Sequence, residues 1–261
     1  MSIKIDYNKC IGCLKCVEDC INFYLVKNAE DESKSVNAPR IAERGRCIHC
    51  GHCEAVCPVN AIICDDDSIL REDYSGEGPL EIMYGKRTVR KYLKGSTIDK
   101  KILDNIIIAG QSAPTQTNRR TCRLILIKDK LPEVYSLSVE WLVEEAKAKG
   151  PLSPTYKHVM KQAEDDTILW NAEYLVLVVG NSEFTIDGAI TAERMQLQAE
   201  FYDIRTGYRG DIQRAISSCD RLREIVGLKR NESVLVAFAM GMSDRTFYRG
   251  LIKQNKSVSL L

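Results

Sequence analysis

The sequence predicts a two-domain α+β protein, a small module bound by cysteines followed by a larger domain in which helices cover a sheet. Three observations predict it. Eight of the eleven cysteines fall within the first 57 residues, in two runs of identical C-x2-C-x2-C-x3-C spacing at 10–20 and 47–57. A polar stretch, "DDDSILREDYSGEGPL", follows without apolar periodicity and reads as a linker over 66–79. Beyond it, helical and strand patterns alternate to the end of the chain.

The cysteine runs carry the strongest signal. A tight C-x2-C-x2-C loop lets three thiolates converge on one metal centre, and in two-cluster iron–sulfur modules the fourth comes from the other run. By that rule Cys10, Cys13, Cys16 and Cys57 would hold one cluster, and Cys47, Cys50, Cys53 and Cys20 the other. A secreted disulfide framework predicts irregular spacing and an exported chain. Two zinc sites would pair separated C-x2-C knuckles, not three cysteines in one loop. His49 and His52 lie inside the second loop, where four cysteines already complete the site, so they are expected to face solvent or tune sulfur by hydrogen bonds. With every iron ligated the module is a wire rather than a reaction centre. Cys64, Cys122 and Cys219 form no motif.

In the larger domain "TIDKKILDNIIIAGQ" predicts an amphipathic helix with Thr97 as its cap and Gly110 near its end. "CRLILIKD", "EYLVLVVG" and "SVLVAFAMG" are short β-rich runs. "LPEVYSLSVEWLVEEAKAKG" and "DGAITAERMQLQAEFYDIRTG" read as helices of several turns. Periodicity alone leaves this domain α/β or α+β. No Walker loop and no G-x-G-x-x-G after a strand is present, so an ordinary nucleotide or dinucleotide loop is not predicted. Trp141, Trp170, Met160, Met195 and Met240 are expected in the core. With 37 basic against 36 acidic residues the net charge is +1, which calls for neither nucleic acid nor an anionic membrane as partner. The longest apolar stretches fall short of a membrane span, and a cytoplasmic location is expected.

Two segments bracket the first helix, "YGKRTVRKY" and "QSAPTQTNRRTC". Lys86, Arg87 and Arg90 with the Thr88 hydroxyl make a compact set of phosphate donors, and the turn after Pro114 offers hydroxyl and amide contacts. Each is weak alone.

Two families are resembled. Residues 3–65, with "IDYNKCIGCLKCVEDCI" and "RCIHCGHCEAVCPVNAI" as halves of an internal repeat, resemble bacterial two-4Fe-4S ferredoxins; Ile21 stands where proline often follows the last cysteine, as Pro58 does in the second half. From about residue 80, "KRTVRKY", "APTQTNRRTC", "DGAITAERMQLQAEFYDIRTGYRG" and "VLVAFAMGMSDRTFYRG" resemble in order the motifs of the nitroreductase family of FMN enzymes.

These resemblances imply a ferredoxin domain over 1–65, a linker over 66–79 and a nitroreductase-like FMN-binding domain over 80–261, built on a central mixed β-sheet flanked by helices. Lys86, Arg87, Thr88 and Arg90 would bind the FMN phosphate and ribityl chain, with Arg249 closing from the C-terminal side. Pro114, Thr115 and Asn118 would lie along the flavin edge, and Tyr208 and Gly210 near its reactive nitrogen, with Tyr208 the candidate catalytic residue. The implied activity is that of an FMN-dependent oxidoreductase whose two 4Fe-4S clusters relay electrons from an external low-potential donor to FMN. The flavin in turn reduces a small organic acceptor such as a nitroaromatic or quinone. The implied assembly is a homodimer with FMN at the interface. Two alternatives stand beside it: a flavin-bearing electron carrier that docks to a larger redox partner, and a flavoprotein reduced by NAD(P)H that sends electrons outward through the clusters. Departures from the family pattern at Glu193, Arg194, Asp203, Ile204 and Arg205, and at Arg119, Arg120 and Cys122, bear on the substrate rather than on the flavin.

Overall fold

The computed structural model describes residues 3–27, 38–42, 47–48, 50–64, 68–71, 78–151, 153–164, 168–248 and 250–253. They fall into two compact units, residues 1–87 together with 245–261, and residues 88–244.

In the first unit the two cysteine-bearing halves interleave. The first half runs β1 (Ile3–Ile5), α1 (Lys15–Glu18) and β2 (Leu25–Lys27); the second runs β3 (Pro39–Ile41), α2 (His52–Val56) and β4 (Ile62–Cys64). β1 pairs antiparallel with β4, and β2 with β3, so each half supplies one strand to each ribbon. Isolated two-stranded ribbons are marginal in water. Here Leu25, Ala55, Val56, Ala61 and Ile62 are buried, and the helices, only four and five residues long, pack on each other.

Beyond β4 lie β5 (Ser68–Arg71) and α3 (Gly78–Gly85). β5 pairs antiparallel with a C-terminal strand, Gly250–Lys253, against which α3 also packs. Part of the expected linker is thus a strand and the start of a helix; residues 66–67 and 72–77 lie outside the described residues. The expected second domain ran to the C-terminus, whereas residues 245–261 group with the first unit. Local periodicity cannot reveal a strand whose partner is distant in sequence.

The second unit is a four-stranded sheet covered on both faces. Its elements in chain order are α4 (Lys100–Gln111), β6 (Arg123–Ile127), α5 (Leu131–Ala148), α6 (Pro154–Glu164), β7 (Tyr174–Gly180), α7 (Thr185–Phe201), β8 (Arg205–Tyr208), α8 (Gly210–Ser218), α9 (Asp220–Ile225) and β9 (Ser233–Gly241). The strand order is β6-β7-β9-β8. Each described pairing is antiparallel, which differs in that detail from the mixed sheet expected. β7 reads as an unbroken apolar run because it is central and both its faces are covered. Val176 and Val178 join Phe238 and Met240 under Ile106 of α4 and Ala192, Met195 and Ala199 of α7. α8 packs on β9, and α5 packs on α8.

One detail of α4 departs from expectation, and its glycine has a packing role. Its cap is Asp99, whose Oδ1 accepts from the N–H groups of Lys101 and Ile102, rather than Thr97. Gly110 lies within the helix: a Cβ there would stand 2.6 Å from Cγ of Met195, so the glycine permits close approach of α4 to α7. The run expected as one helix through Gly207 ends at Phe201, where Asp203 adopts a left-handed φ of 58° and the chain enters β8. Among the described residues no helix is long and apolar enough to cross a membrane.

Candidate functional site

The thiols of the first unit gather in two sets. Cys10, Cys13 and Cys57 are the electrostatic neighbours of Cys16, whose pKa is pushed up to about 12, by burial first and then by these three. Cys53 is pushed up by contact with the Cys64 thiol, 3.7 Å away, then by burial, with Cys50 and Cys20 among its further neighbours. Cys20, Cys47, Cys50, Cys53 and Cys64 line one cavity. Thiols so crowded resist ionising unless a cationic centre shares their charge, and a metal cluster supplies such a centre. Among the described residues no three His, Cys, Asp or Glu side chains converge closely enough to hold a single ion. A cube ligated at four corners is served instead by thiols spread around it.

Local backbone explains the convergence. The residue before each helix is left-handed, Leu14 with φ 59° and Gly51 with φ 67°, which turns the chain between the second and third cysteines of each run. The two crossing sulfurs each accept from the amide four residues on: Tyr24 N–H donates to Cys20 Sγ at 3.2 Å, and Ala61 N–H to Cys57 Sγ at 3.2 Å. Such bonds stabilise thiolate charge.

The C-terminal segment braces this module. Buried Arg245 pairs with Glu18 at 2.5 Å and approaches Asp19 at 3.3 Å, Phe247 meets the His52 ring edge-on at 5.8 Å, and Tyr248 N–H donates to Ala55 O. His52, expected to face solvent or sulfur, is buried, its ring against Phe247. His49 lies outside the described residues, as does Arg249. Lys86 N–H closes α3 onto Ile82 O, and Arg87 is buried.

In the second unit the segment from Thr88 to Arg90 lies along β8. Val89 N–H donates to Thr206 O at 3.0 Å, and a Cβ on Gly207 would stand 3.0 Å from Val89 O and 3.1 Å from Thr88 Cγ2. Arg209, 3% exposed, ties the arrangement together. Its guanidinium donates to Tyr208 O at 2.8 Å and Val89 O at 3.3 Å, and stacks on Trp170 at 4.3 Å. Sequence reasoning missed this arginine, and placed Trp170 in the core without its partner. Arg90 is also buried. Tyr208 projects beyond them, 44% exposed, and its hydroxyl donates to Glu193 Oε2 at 3.2 Å. Burial first, then Glu193, pushes its pKa up to about 12. Gly210 opens α8, with nothing within 4 Å of where a Cβ would stand.

Pro114, Thr115 and Asn118 sit elsewhere. Thr115 Oγ1 accepts from Arg120 N–H at 2.9 Å and Thr115 O from Asn118 N–H, while Thr117, Asn118 and Arg120 all adopt left-handed φ near 50°. Buried Asp187, at the start of α7, holds this loop by accepting from Gln116 N–H and from Thr121 Oγ1 at 2.6 Å. Asp187 also escaped sequence reasoning; its position in the first turn of a helix was the available signal. Thr115, Arg120, Cys122 and Thr191 line a cavity of about 350 Å³. Thr206 and Tyr208 bind Gln196 and Glu193, further along α7. By helical rise Asp187 is about 9 Å from Glu193 and about 13 Å from Gln196, so one chain holds the two groups at different heights along α7.

The departures at the end of α7 serve the fold. Arg205 pairs with Glu200 and with Asp203 at 2.5 Å, Ile204 enters the core, and Arg194 donates to Ser112 O at 2.6 Å. Arg119 and Arg120 are exposed.

The model of the nitroreductase family matches residues 83–242, and that of the 4Fe-4S dicluster domain matches residues 9–61. Among solved structures, a nitroreductase with bound FMN from Desulfitobacterium hafniense is similar at TM-score 0.59 and 16% identity, covering 70% of this chain and 97% of its own. Another with bound FMN, from Bacteroides fragilis, is similar at TM-score 0.56 and 20% identity over 71% and 99%. An FMN-dependent nitroreductase from Clostridium difficile gives TM-score 0.56 and 11% identity over 70% and 98%. No curated protein matches the chain.

Proposed function

We infer, for a chain that belongs to the nitroreductase family and matches a 4Fe-4S dicluster domain ahead of that fold, that it takes electrons from a low-potential donor through two clusters to FMN and on to a small organic acceptor. The observation that carries this reading is the gathering of Cys10, Cys13, Cys16 and Cys57 apart from Cys20, Cys47, Cys50 and Cys53, on a chain that folds as a nitroreductase. Bound clusters pass electrons singly and bound FMN collects two, which is the chemistry these groups supply.

The chain's own residues bind and orient. Lys86, Thr88 and Arg90 present phosphate donors, with Arg249 as a further candidate. Val89 and Arg209 hold that segment against β8. Gly210 leaves open space at the start of α8. Pro114, Thr115 and Asn118 are the second half of the site, contributed by a second copy in a homodimer; the separation along α7 supports this division. Tyr208 keeps its proton at neutral pH and so does not act as a base; it orients an acceptor when its single O–H turns from Glu193 to donate to that acceptor.

Anaerobic quantification tests the scheme: about eight irons and one FMN per chain are expected. Flavin absorbance should bleach when a ferredoxin-type reductant is added without NAD(P)H. Flavin that stays oxidised while the clusters bleach would sink it. Tyr208→Phe is expected to lower kcat/KM about tenfold, the worth of one neutral hydrogen bond. The wild-type profile should show no ionisation of this phenol below its pKa of about 12. Gly207→Ala forces the Val89 carbonyl away from β8, and about a tenfold weaker hold on flavin, read as flavin-to-protein ratio after gel filtration, is the expected cost at roughly 1.4 kcal/mol.

A further inference from the structure

Arg87 stands in the basic segment that resembles a phosphate grip, yet its surroundings differ from those of its neighbours. Along the segment Lys86 and Thr88 are half-buried, while Arg87, Val89 and Arg90 are buried. Arg87 is 9% exposed, and among the described residues its Nε and Nη2 have no hydrogen-bond partner. Among the described residues its electrostatic neighbour is Cys50, which opposes the fall in pKa to about 10 that burial causes.

A buried cation without a counter-charge is costly, by several kcal/mol in general. Arg245 in the same unit resolves that cost with carboxylates, Glu18 and Asp19. Arg87 has no carboxylate so placed among the described residues. A cube bound by four thiolates is a net anion in both redox states and gains one more negative charge on reduction. It is the partner that the site at Cys50 would supply.

We propose that Arg87 is a positioning residue for the second cluster and not a ligand of the flavin phosphate: its guanidinium is the buried counter-charge of the set Cys20, Cys47, Cys50 and Cys53, and it favours the reduced state of that cluster. The inference rests on reading those four cysteines as cluster ligands. Reduction adds an electron to the cluster from an external low-potential donor, and no bond to Arg87 forms or breaks. The cation stabilises the extra charge where it arises.

The test is an anaerobic redox titration of the holoenzyme followed by electron paramagnetic resonance, on wild type, Arg87→Gln and Arg87→Lys, with iron and flavin counted in each. In R87Q one of the two one-electron cluster steps should become about tenfold less favourable, a shift of about 59 mV. The other step and the flavin content should be unchanged, and R87K should recover most of the shift. If R87Q fails to retain iron, R87K against wild type carries the comparison, with a smaller shift of the same sign expected. Unmoved cluster steps in the variants, with or without loss of flavin, overturn the proposal; loss of flavin with unmoved clusters returns Arg87 to the phosphate. Wild-type protein with well under about eight irons overturns the cluster assignment itself, and is distinguishable because it needs no variant.

Discussion

Cys57→Ala is expected to cost the protein about four of its irons, and they should be those held by Cys10, Cys13 and Cys16. The thiol of Cys57 acts on Cys16, while its sequence neighbours Cys50 and Cys53 lie with Cys20. Pairs of substitutions read this out without a structure, because removing two ligands of one cluster costs no more than removing one. The double variant Cys16→Ala with Cys57→Ala should keep about four irons, whereas Cys53→Ala with Cys57→Ala should keep almost none. The reverse pattern would mean that each run serves its own cluster. Iron and sulfide per chain, with the visible spectrum, measure it.

Arg209→Met should be the most damaging single change in the second unit. The side chain fills its space, but the carbonyls of Tyr208 and Val89 lose a charged donor, and Trp170 loses the cation stacked on it. Hydrogen bonds to charged groups contribute about 1.5–3 kcal/mol each, so a loss of about 3 kcal/mol is expected, or a fall in Tm of about 6–12 °C for a unit of this size. Flavin affinity should fall with it, because Arg209 links the segment carrying Thr88 and Arg90 to the turn carrying Tyr208. An unchanged Tm with lost flavin would show instead that Arg209 touches the ligand.

The site was legible in unequal parts. The cysteine runs were fully so, because metal ligation imposes spacing within a loop. The strands β6, β7 and β9 were legible because a buried strand must be apolar. Arg209 and Asp187 were not: each acts on backbone groups of segments remote in sequence, and such contacts leave no periodicity. Gly110 was legible near the end of its helix, where it lies, but the approach of Met195 to it was not.

By itself the sequence determined the chemistry available to this protein, eight thiols at iron–sulfur spacing, a cluster of cations and hydroxyls, and the elements of a helix-covered sheet. Only the tertiary structure decided how they are shared out. It returns residues 245–248 and the strand Gly250–Lys253 to the cysteine module, and it holds Thr115 and Tyr208 at different heights along α7. It also buries Arg87 while Lys86 and Thr88 stay half-buried. The physical reason is one of range: ligand spacing and amphipathic period act within a few residues, whereas burial and the pairing of charges depend on segments that meet only when the chain has folded.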